Sequence, residues 1–153
     1  MRAVCQRVSR ARVVVEGETV GRIGRGWAIL LGVGPGDDEA VAARLVDQIA
    51  GLRVFEDAGG KMNLAAAEVG AQFLVVSQFT LYADLSRGRR PGFSRAAAPA
   101  VAAPLVERFA ELLRERGFEV ATGRFGAGMA VELTNDGPVT IVLSSDGWGS
   151  GSE

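Results

Sequence analysis

Polar and apolar residues interleave at the start of the chain, where Val4, Gln6 and Val8 alternate with Cys5 and Arg7. A period of two is the signature of a half-buried strand. Val13-Val14-Val15 leads from it into the turn Glu16-Gly17-Glu18, and Val20 and Ile23 mark a second short segment. Trp27-Ala28-Ile29-Leu30-Leu31-Gly32-Val33 reads as a strand buried on both faces. Gly34-Pro35-Gly36 ends that run, and Asp37 or Asp38 can cap the helix that follows. From Glu39 to about Leu52 the period becomes helical, with Val41, Leu45, Ile49 and Leu52 on one face. Leu52-Arg53-Val54-Phe55 reads as a strand closed by the turn Asp57-Ala58-Gly59-Gly60, and Phe73–Val76 reads as another. A second helix starts near Pro99, turns Leu105, Phe109, Leu112 and Leu113 inward, and stops at Gly117. Three more strands follow, Phe118 to Ala121, Met129 to Leu133 and Val139 to Leu143. Gly126-Ala127-Gly128 and Asn135-Asp136-Gly137-Pro138 separate them.

This order predicts an α+β fold: one compact domain over 1–143, a mostly antiparallel β-sheet or barrel carrying two helices. The tail 144–153 is rich in Gly and Ser and is expected to be disordered. At 153 residues the chain suits one domain, long enough to bury roughly 70% of its unfolded surface. No run approaches the roughly 20 apolar residues that span a bilayer, and Met1–Arg7 lacks the apolar core of a secretory signal. The cytoplasm is therefore the expected compartment, with no membrane partner.

Two absences narrow the chemistry. Without histidine, neither a Ser-His-Asp or Cys-His relay nor a histidine-held metal can be built. The single thiol, Cys5, excludes an internal disulfide and any multi-cysteine cluster, and its apolar strand makes it a small core residue. No metal and no cofactor are expected, so chemistry rests on hydroxyls, carboxylates, backbone groups, arginine or the substrate itself. The net charge is −1, and 16 of the 17 basic residues are arginine, Lys61 being the exception. A protein that coats a phosphate backbone carries a clear basic excess, so nucleic-acid contact has to be local. The one dense cluster, Arg87, Arg89, Arg90 and Arg95, is either a solvated loop or a phosphate clamp.

Several apparent motifs have ordinary explanations. Gly21-Arg22-Ile23-Gly24-Arg25-Gly26 lies between strands, whereas a phosphate loop precedes a helix. Gly32-Val33-Gly34-Pro35-Gly36 lacks the Gly-Lys-Ser/Thr ending of a P-loop. Asp37, Asp38 and Glu39 are accounted for by capping and the helix dipole. Two segments remain. At Ser77-Gln78-Phe79-Thr80 an apolar strand delivers polar groups and loses its ladder, which makes either a turn or an oxyanion-binding site. Thr134-Asn135-Asp136-Gly137-Pro138-Val139-Thr140 is dense turn chemistry between two strands, and taken alone it reads as an ordinary hairpin turn before it reads as a site.

Together these two segments resemble the D-aminoacyl-tRNA deacylase family, of the type with Ser-Gln-Phe-Thr and Asn-x-Gly-Pro-x-Thr motifs. The resemblance runs from Gln6-Arg7-Val8 to about Leu143. It takes in Gly60-Lys61-Met62-Asn63-Leu64, Arg90-Pro91 and Thr122-Gly123-Arg124-Phe125-Gly126-Ala127. It implies a β-barrel-like homodimer with active sites at the subunit interface. The implied activity is hydrolysis of the ester joining a D-amino acid, or mischarged glycine, to the 3′-terminal adenosine of tRNA. Carried over by motif, Ser77, Gln78, Phe79 and Thr80 form the catalytic pocket. Gly137 and Pro138 become a cis pair that one subunit inserts into the other's pocket, rejecting L-amino acids by backbone clash. Phe125, Ala127 and Met129 match positions near the bound adenosine or aminoacyl group, and Arg7 matches a support of the Gly-Pro loop. The tRNA's 2′-hydroxyl would orient the attacking water, which suits a chain without histidine. Arg87, Arg89 and Arg90 are the tRNA-binding candidates.

Gly92 departs from the serine that commonly follows Arg-Pro in relatives, and the tail has no counterpart. Two other readings stand beside the hydrolase: a nucleic-acid-binding module without turnover, and a deacylase for L-amino acids with a trans Gly-Pro bond and a wider pocket.

Overall fold

The computed structural model describes residues 1–148. Its organising element is strand β1 (Arg2–Val15), which pairs antiparallel with three partners. The strand β3 (Gly26–Gly32) takes its first half, and β2 (Glu18–Ile23) its second. Along its other edge runs β8 (Ala130–Ser144). From β3 the sheet continues in parallel to β6 (Gln72–Ser77) and then to β7 (Val120–Thr122). Between these parallel neighbours lie α1 (Glu39–Gly51) and α2 (Pro99–Glu115), so each helix is the crossover of a βαβ unit. A two-stranded ribbon, β4 (Phe55–Glu56) with β5 (Met62–Leu64), stands apart. No helix among the described residues is long and apolar enough to cross a membrane.

The sheet curls until β2 lies against β7. A Cβ on Gly21 would fall 2.5 Å from the Thr122 carbonyl oxygen, so only glycine permits this approach. The result is a sheet close to a barrel with two helices on it, mostly antiparallel but with two parallel pairings, as the strand pattern predicts except for those pairings.

Alternation along each strand divides the interior into two clusters. Trp27, Ile29 and Leu31 of β3, with Phe73 and Val75 of β6, face the helices and meet Leu45, Ile49, Phe109 and Leu113. Ala28, Leu74 and Val76 point to the opposite side and meet Val13, Val15 and Ile23. Each large side chain buried in this way contributes roughly 1.5–3 kcal/mol. In β1 the phase flips: Ala3 and Cys5 belong to the first cluster, Ala11, Val13 and Val15 to the second. The register irregularity between Val8 and Arg10 supplies the offset.

The helix signals hold in detail. The Asp38 carboxylate caps α1 by accepting the Val41 N–H at 3.0 Å, and Pro99 stands at the start of α2. Burial centres on Ala42, Leu45, Val46, Ile49 and Ala50 of α1, with Val41 and Leu52 half-buried at its margins. Burial also pushes the Cys5 thiol up to about 12, so it stays protonated and shielded. Native protein at pH 8 is expected to resist a disulfide exchange reagent that reacts fully once the chain is unfolded. Rapid native labelling, read spectrophotometrically, would contradict this burial.

Three expectations change. Leu52–Phe55 is not a full strand; only Phe55 and Glu56 pair, in the small ribbon. The strands expected over 129–133 and 139–143 are one strand, β8, because both halves pair with β1 in the same direction. Asn-Asp-Gly-Pro therefore makes no chain reversal. Finally, Ser144 to Trp148 is packed rather than loose. The Ser145 N–H donates to the Met1 carbonyl at 2.8 Å, Arg2 pairs with Asp146 at 2.9 Å, and Trp148 lies beneath the Arg44 guanidinium. Trp148 supplies the apolar surface that a Gly/Ser-rich composition conceals. The rest of the expected tail, 149–153, lies outside the described residues.

Candidate functional site

Strand β6 is held to its last residue: Ser77 pairs with Leu31, and the Gln78 N–H donates to the Leu31 carbonyl at 2.8 Å. There the ladder stops and a 3₁₀ turn, Phe79–Tyr82, begins. The first N–H groups of such a turn have no intrahelical acceptor, and those of Phe79 and Thr80 meet none among the described residues. The Gln78 side-chain amide donates to the Thr80 hydroxyl oxygen, tying the two polar side chains together.

Beside this strand end opens a cavity of about 590 Å³. Ser77, Gln78 and Phe79 form one wall. Phe125, Gly126, Ala127 and Met129, from the segment between β7 and β8, form another with Val131 at the start of β8. The third comes from Phe93 and the run Ala96-Ala97-Ala98-Pro99 at the start of α2. No lining residue carries an ionisable side chain. Phe79 and Phe93 meet edge to face with centroids 4.9 Å apart, and both line the cavity. Of the residues singled out in the sequence, Ser77, Gln78, Phe79, Phe125, Ala127 and Met129 thus converge. Thr80 adjoins them but is exposed and does not line the cavity.

Gly137, Pro138 and Arg7 are not part of this cavity. Opposite Gln6 and Val8 of β1, strand β8 advances from Thr140 to Asn135, so the intervening residues loop out as a wide bulge. Gly137 and Pro138 stand exposed on it, joined by a cis peptide bond, with Gly137 at φ +128°. The Asn135 carboxamide oxygen accepts the Val139 N–H at 3.2 Å, and its NH2 donates to the Thr140 hydroxyl at 3.1 Å, closing the bulge at its neck. From below, buried Arg7 donates to the Asp136 carbonyl at 3.1 Å and to the Val54 carbonyl at 2.6 Å. Glu56 and the Asp136 carboxylate stand 4.0 and 3.8 Å from its guanidinium.

The arginine loop is closed by reciprocal hydrogen bonds between Asp84 and Gly92, at 2.8 and 2.9 Å. The Ser86 N–H holds the Asp84 carboxyl below its usual range. Arg87, Arg89 and Arg90 are exposed on this loop, and Phe93 at its base reaches the cavity. A Cβ on Gly92 would come no closer than 3.9 Å to the Asp84 carbonyl oxygen, so a serine would fit at this position without displacing the loop.

The family model for D-Tyr-tRNA(Tyr) deacylase matches residues 4–144. This chain belongs to that family. A relative from Symbiobacterium thermophilum named "D-aminoacyl-tRNA deacylase" is 61% identical over 146 residues, covering 95% of this chain and 97% of the relative. Another of that name, from Thermotoga petrophila, is 56% identical over 145 residues, covering 95% and 97%. A solved structure named "c-Myc DNA Unwinding Element Binding Protein" superposes with a TM-score of 0.88 at 41% identity, over 95% of this chain and 99% of its own. A second, "Structural Analysis of a probable eukaryotic D-amino acid tRNA deacylase", shares the fold at a TM-score of 0.76 and 20% identity.

Within this D-Tyr-tRNA(Tyr) deacylase family fold, sequence reasoning missed Phe93 and the stretch Ala96–Pro99 as cavity walls. A lone aromatic ring in an arginine-rich loop was the available signal for Phe93. Nothing comparable marks the alanines, which look like helix padding. Val54 and Glu56, which meet Arg7 beneath the bulge, were concealed in a segment that reads as an ordinary strand.

Proposed function

We propose that this chain is an aminoacyl-tRNA editing hydrolase that cleaves the ester of D-aminoacyl-tRNA, releasing the free D-amino acid and tRNA. Mischarged glycine is removed by the same route. Its supporting observation is a cavity without ionisable side chains, bordered by N–H groups at the Ser77–Thr80 strand end that lack acceptors. Such a site offers placement and oxyanion stabilisation rather than a base. Water attacks the ester carbonyl, the N–H groups of Phe79 and Thr80 take up the charge on its oxygen, and the 3′-oxygen leaves with a proton. The tRNA's own 2′-hydroxyl orients that water.

A single chain leaves this site incomplete, because the Gly137–Pro138 bulge projects from a different part of the fold. We assign it to the cavity of a second copy, in a homodimer that acts in the cytoplasm. Backbone carbonyls on the bulge would hold the substrate ammonium and leave no room for an L side chain, whereas glycine has none to exclude. Arg87, Arg89 and Arg90, joined to the cavity through Phe93, would take phosphates near the acceptor end.

The test compares paired D- and L-aminoacyl-tRNA, with a 2′-deoxy terminal adenosine as control. Rapid turnover of the D-ester alone is expected, falling at least 100-fold on the deoxy substrate; equal rates for the two esters would end the proposal. Thr80→Ala is expected to retain turnover within about tenfold, since the hydroxyl orients without attacking. An acyl group trapped on Thr80 would establish the covalent route instead. Replacing Arg87, Arg89 and Arg90 together should flatten the salt dependence of tRNA binding. The reading as a binding module draws support from the 41%-identical structure, whose name gives a DNA element as its ligand. Catalytic turnover separates that module from the hydrolase.

A further inference from the structure

A second basic surface shares no lining residue with the cavity or the arginine loop. In the register of β1 with β2, Arg12 stands directly opposite Arg22. In the register of β1 with β8, Arg12 stands opposite Glu132 and Arg10 opposite Thr134. These five side chains border an open groove of about 540 Å³ with Ile23 at its floor. Glu132 ion-pairs with Arg12, whose guanidinium also reaches the Thr19 hydroxyl at 3.4 Å. Arg10 donates to the Thr134 hydroxyl at 3.4 Å. Among the described residues, neither Arg10 nor Arg22 has a carboxylate within ion-pair distance.

Like charges placed directly opposite on paired strands destabilise a sheet. Here the pair is neutralised on one flank only, so the groove carries three arginines against one carboxylate. Residues two apart on a strand are about 6.8 Å apart, and neighbouring strands about 4.8 Å. Guanidinium groups at such spacings can take successive phosphates, each presenting the fork that matches phosphate oxygens. An isolated small anion would engage one arginine and leave the others unanswered. A run of phosphates answers Arg10 and Arg22 together, Arg12 being held by Glu132.

We infer that this groove binds the phosphodiester backbone of RNA, as a contact with the tRNA body separate from the loop at Arg87–Arg90. The choice of RNA rests on the editing function proposed above; the excess of positive charge does not. It also bears on how a chain of net charge −1 holds a polyanion: seven of its 17 basic residues stand on two surfaces, Arg10, Arg12 and Arg22 here and Arg87, Arg89, Arg90 and Arg95 on the loop.

The experiment measures binding of uncharged tRNA to the full chain between 50 and 200 mM salt, comparing wild type with Arg10→Gln/Arg22→Gln. With a slope of about 0.7–0.9 per phosphate contact, two lost contacts make the wild type fall roughly 7- to 12-fold further than the variant over that range. For D-aminoacyl-tRNA, KM should rise at unchanged kcat. Hydrolysis of the D-aminoacyl ester of adenosine alone, which lacks the tRNA body, should be unaffected. Melting temperature should stay level or rise, because the opposed guanidiniums are relieved, and Arg10→Lys/Arg22→Lys should restore the slope. An unchanged slope overturns the inference, as does a changed oligomeric state with unchanged tRNA binding, which would assign the face to contact between copies. If wild type fails to hydrolyse D-aminoacyl-tRNA while the slope still drops, the editing function falls and the groove stands. If it hydrolyses normally and the slope is unchanged, the groove alone falls.

Discussion

Gly137→Ala is expected to lower kcat/KM for D-aminoacyl-tRNA about 100-fold, the size of loss that a misplacement near 1 Å produces. The reason is local. Gly137 sits at φ +128°, where an L side chain is strained, and an added Cβ would lie 2.8 Å from Val139 Cγ2 and 3.0 Å from Arg7 Nη2. Neither neighbour can yield freely: the Val139 N–H is held by Asn135, and Arg7 is buried and doubly hydrogen-bonded. The bulge must therefore shift as a unit. Folding should suffer far less, by about 1–2 kcal/mol, the cost of placing a Cβ in a left-handed conformation. Discrimination is the decisive readout. If the bulge excludes the L side chain, moving it should narrow the gap between D- and L-ester hydrolysis while the dimer persists. A variant with an unchanged D/L ratio and lower activity would remove chiral selection from Gly137.

The elements of this fold were legible wherever local chemistry decides them. Asp38 caps α1, Pro99 opens α2 and Gly117, at φ +91°, closes it, and each signal acts within one helical turn. What pairing decides was less legible. Asn135-Asp136-Gly137-Pro138 suits a hairpin and a wide bulge equally, and only the continuous pairing of β8 with β1 on both sides selects the bulge. The parallel pairings follow from strand–helix–strand occurring twice in succession, while the alternating β1 has only antiparallel neighbours. The site divides in the same way. Ser77–Phe79 is visible because polar groups interrupt an apolar strand. Ala96–Pro99 is invisible because small apolar residues serve a cavity wall and a helix start alike. Arg7, which is 5% exposed, shares a strand face with Cys5, and only the family resemblance marks it as a support of the Gly-Pro loop. Its partners are carbonyls far away in sequence, which no local pattern announces.

Arg7 carries the other large effect. Replacing it by leucine should lower stability by about 2–4 kcal/mol, because two hydrogen bonds from a charged donor are lost and the Val54 and Asp136 carbonyls lose their partner. Activity on D-aminoacyl-tRNA should fall by at least 100-fold through the same displacement of the bulge. Lysine separates charge from geometry. Its compact ammonium keeps the positive charge but cannot span two carbonyls that the planar guanidinium reaches from Nε and Nη1. Arg7→Lys should therefore keep much of the stability and lose most of the activity. Glu56 provides the contrast: it is exposed and 4.0 Å from the guanidinium, so Glu56→Gln should change stability by less than about 1 kcal/mol. Urea denaturation of the three variants beside their kinetics on paired D- and L-esters tests the scheme. Should Arg7→Lys match wild type in both, the guanidinium fork is not what holds the bulge, and the ion pairs must hold it instead; Glu56→Gln should then be the damaging substitution.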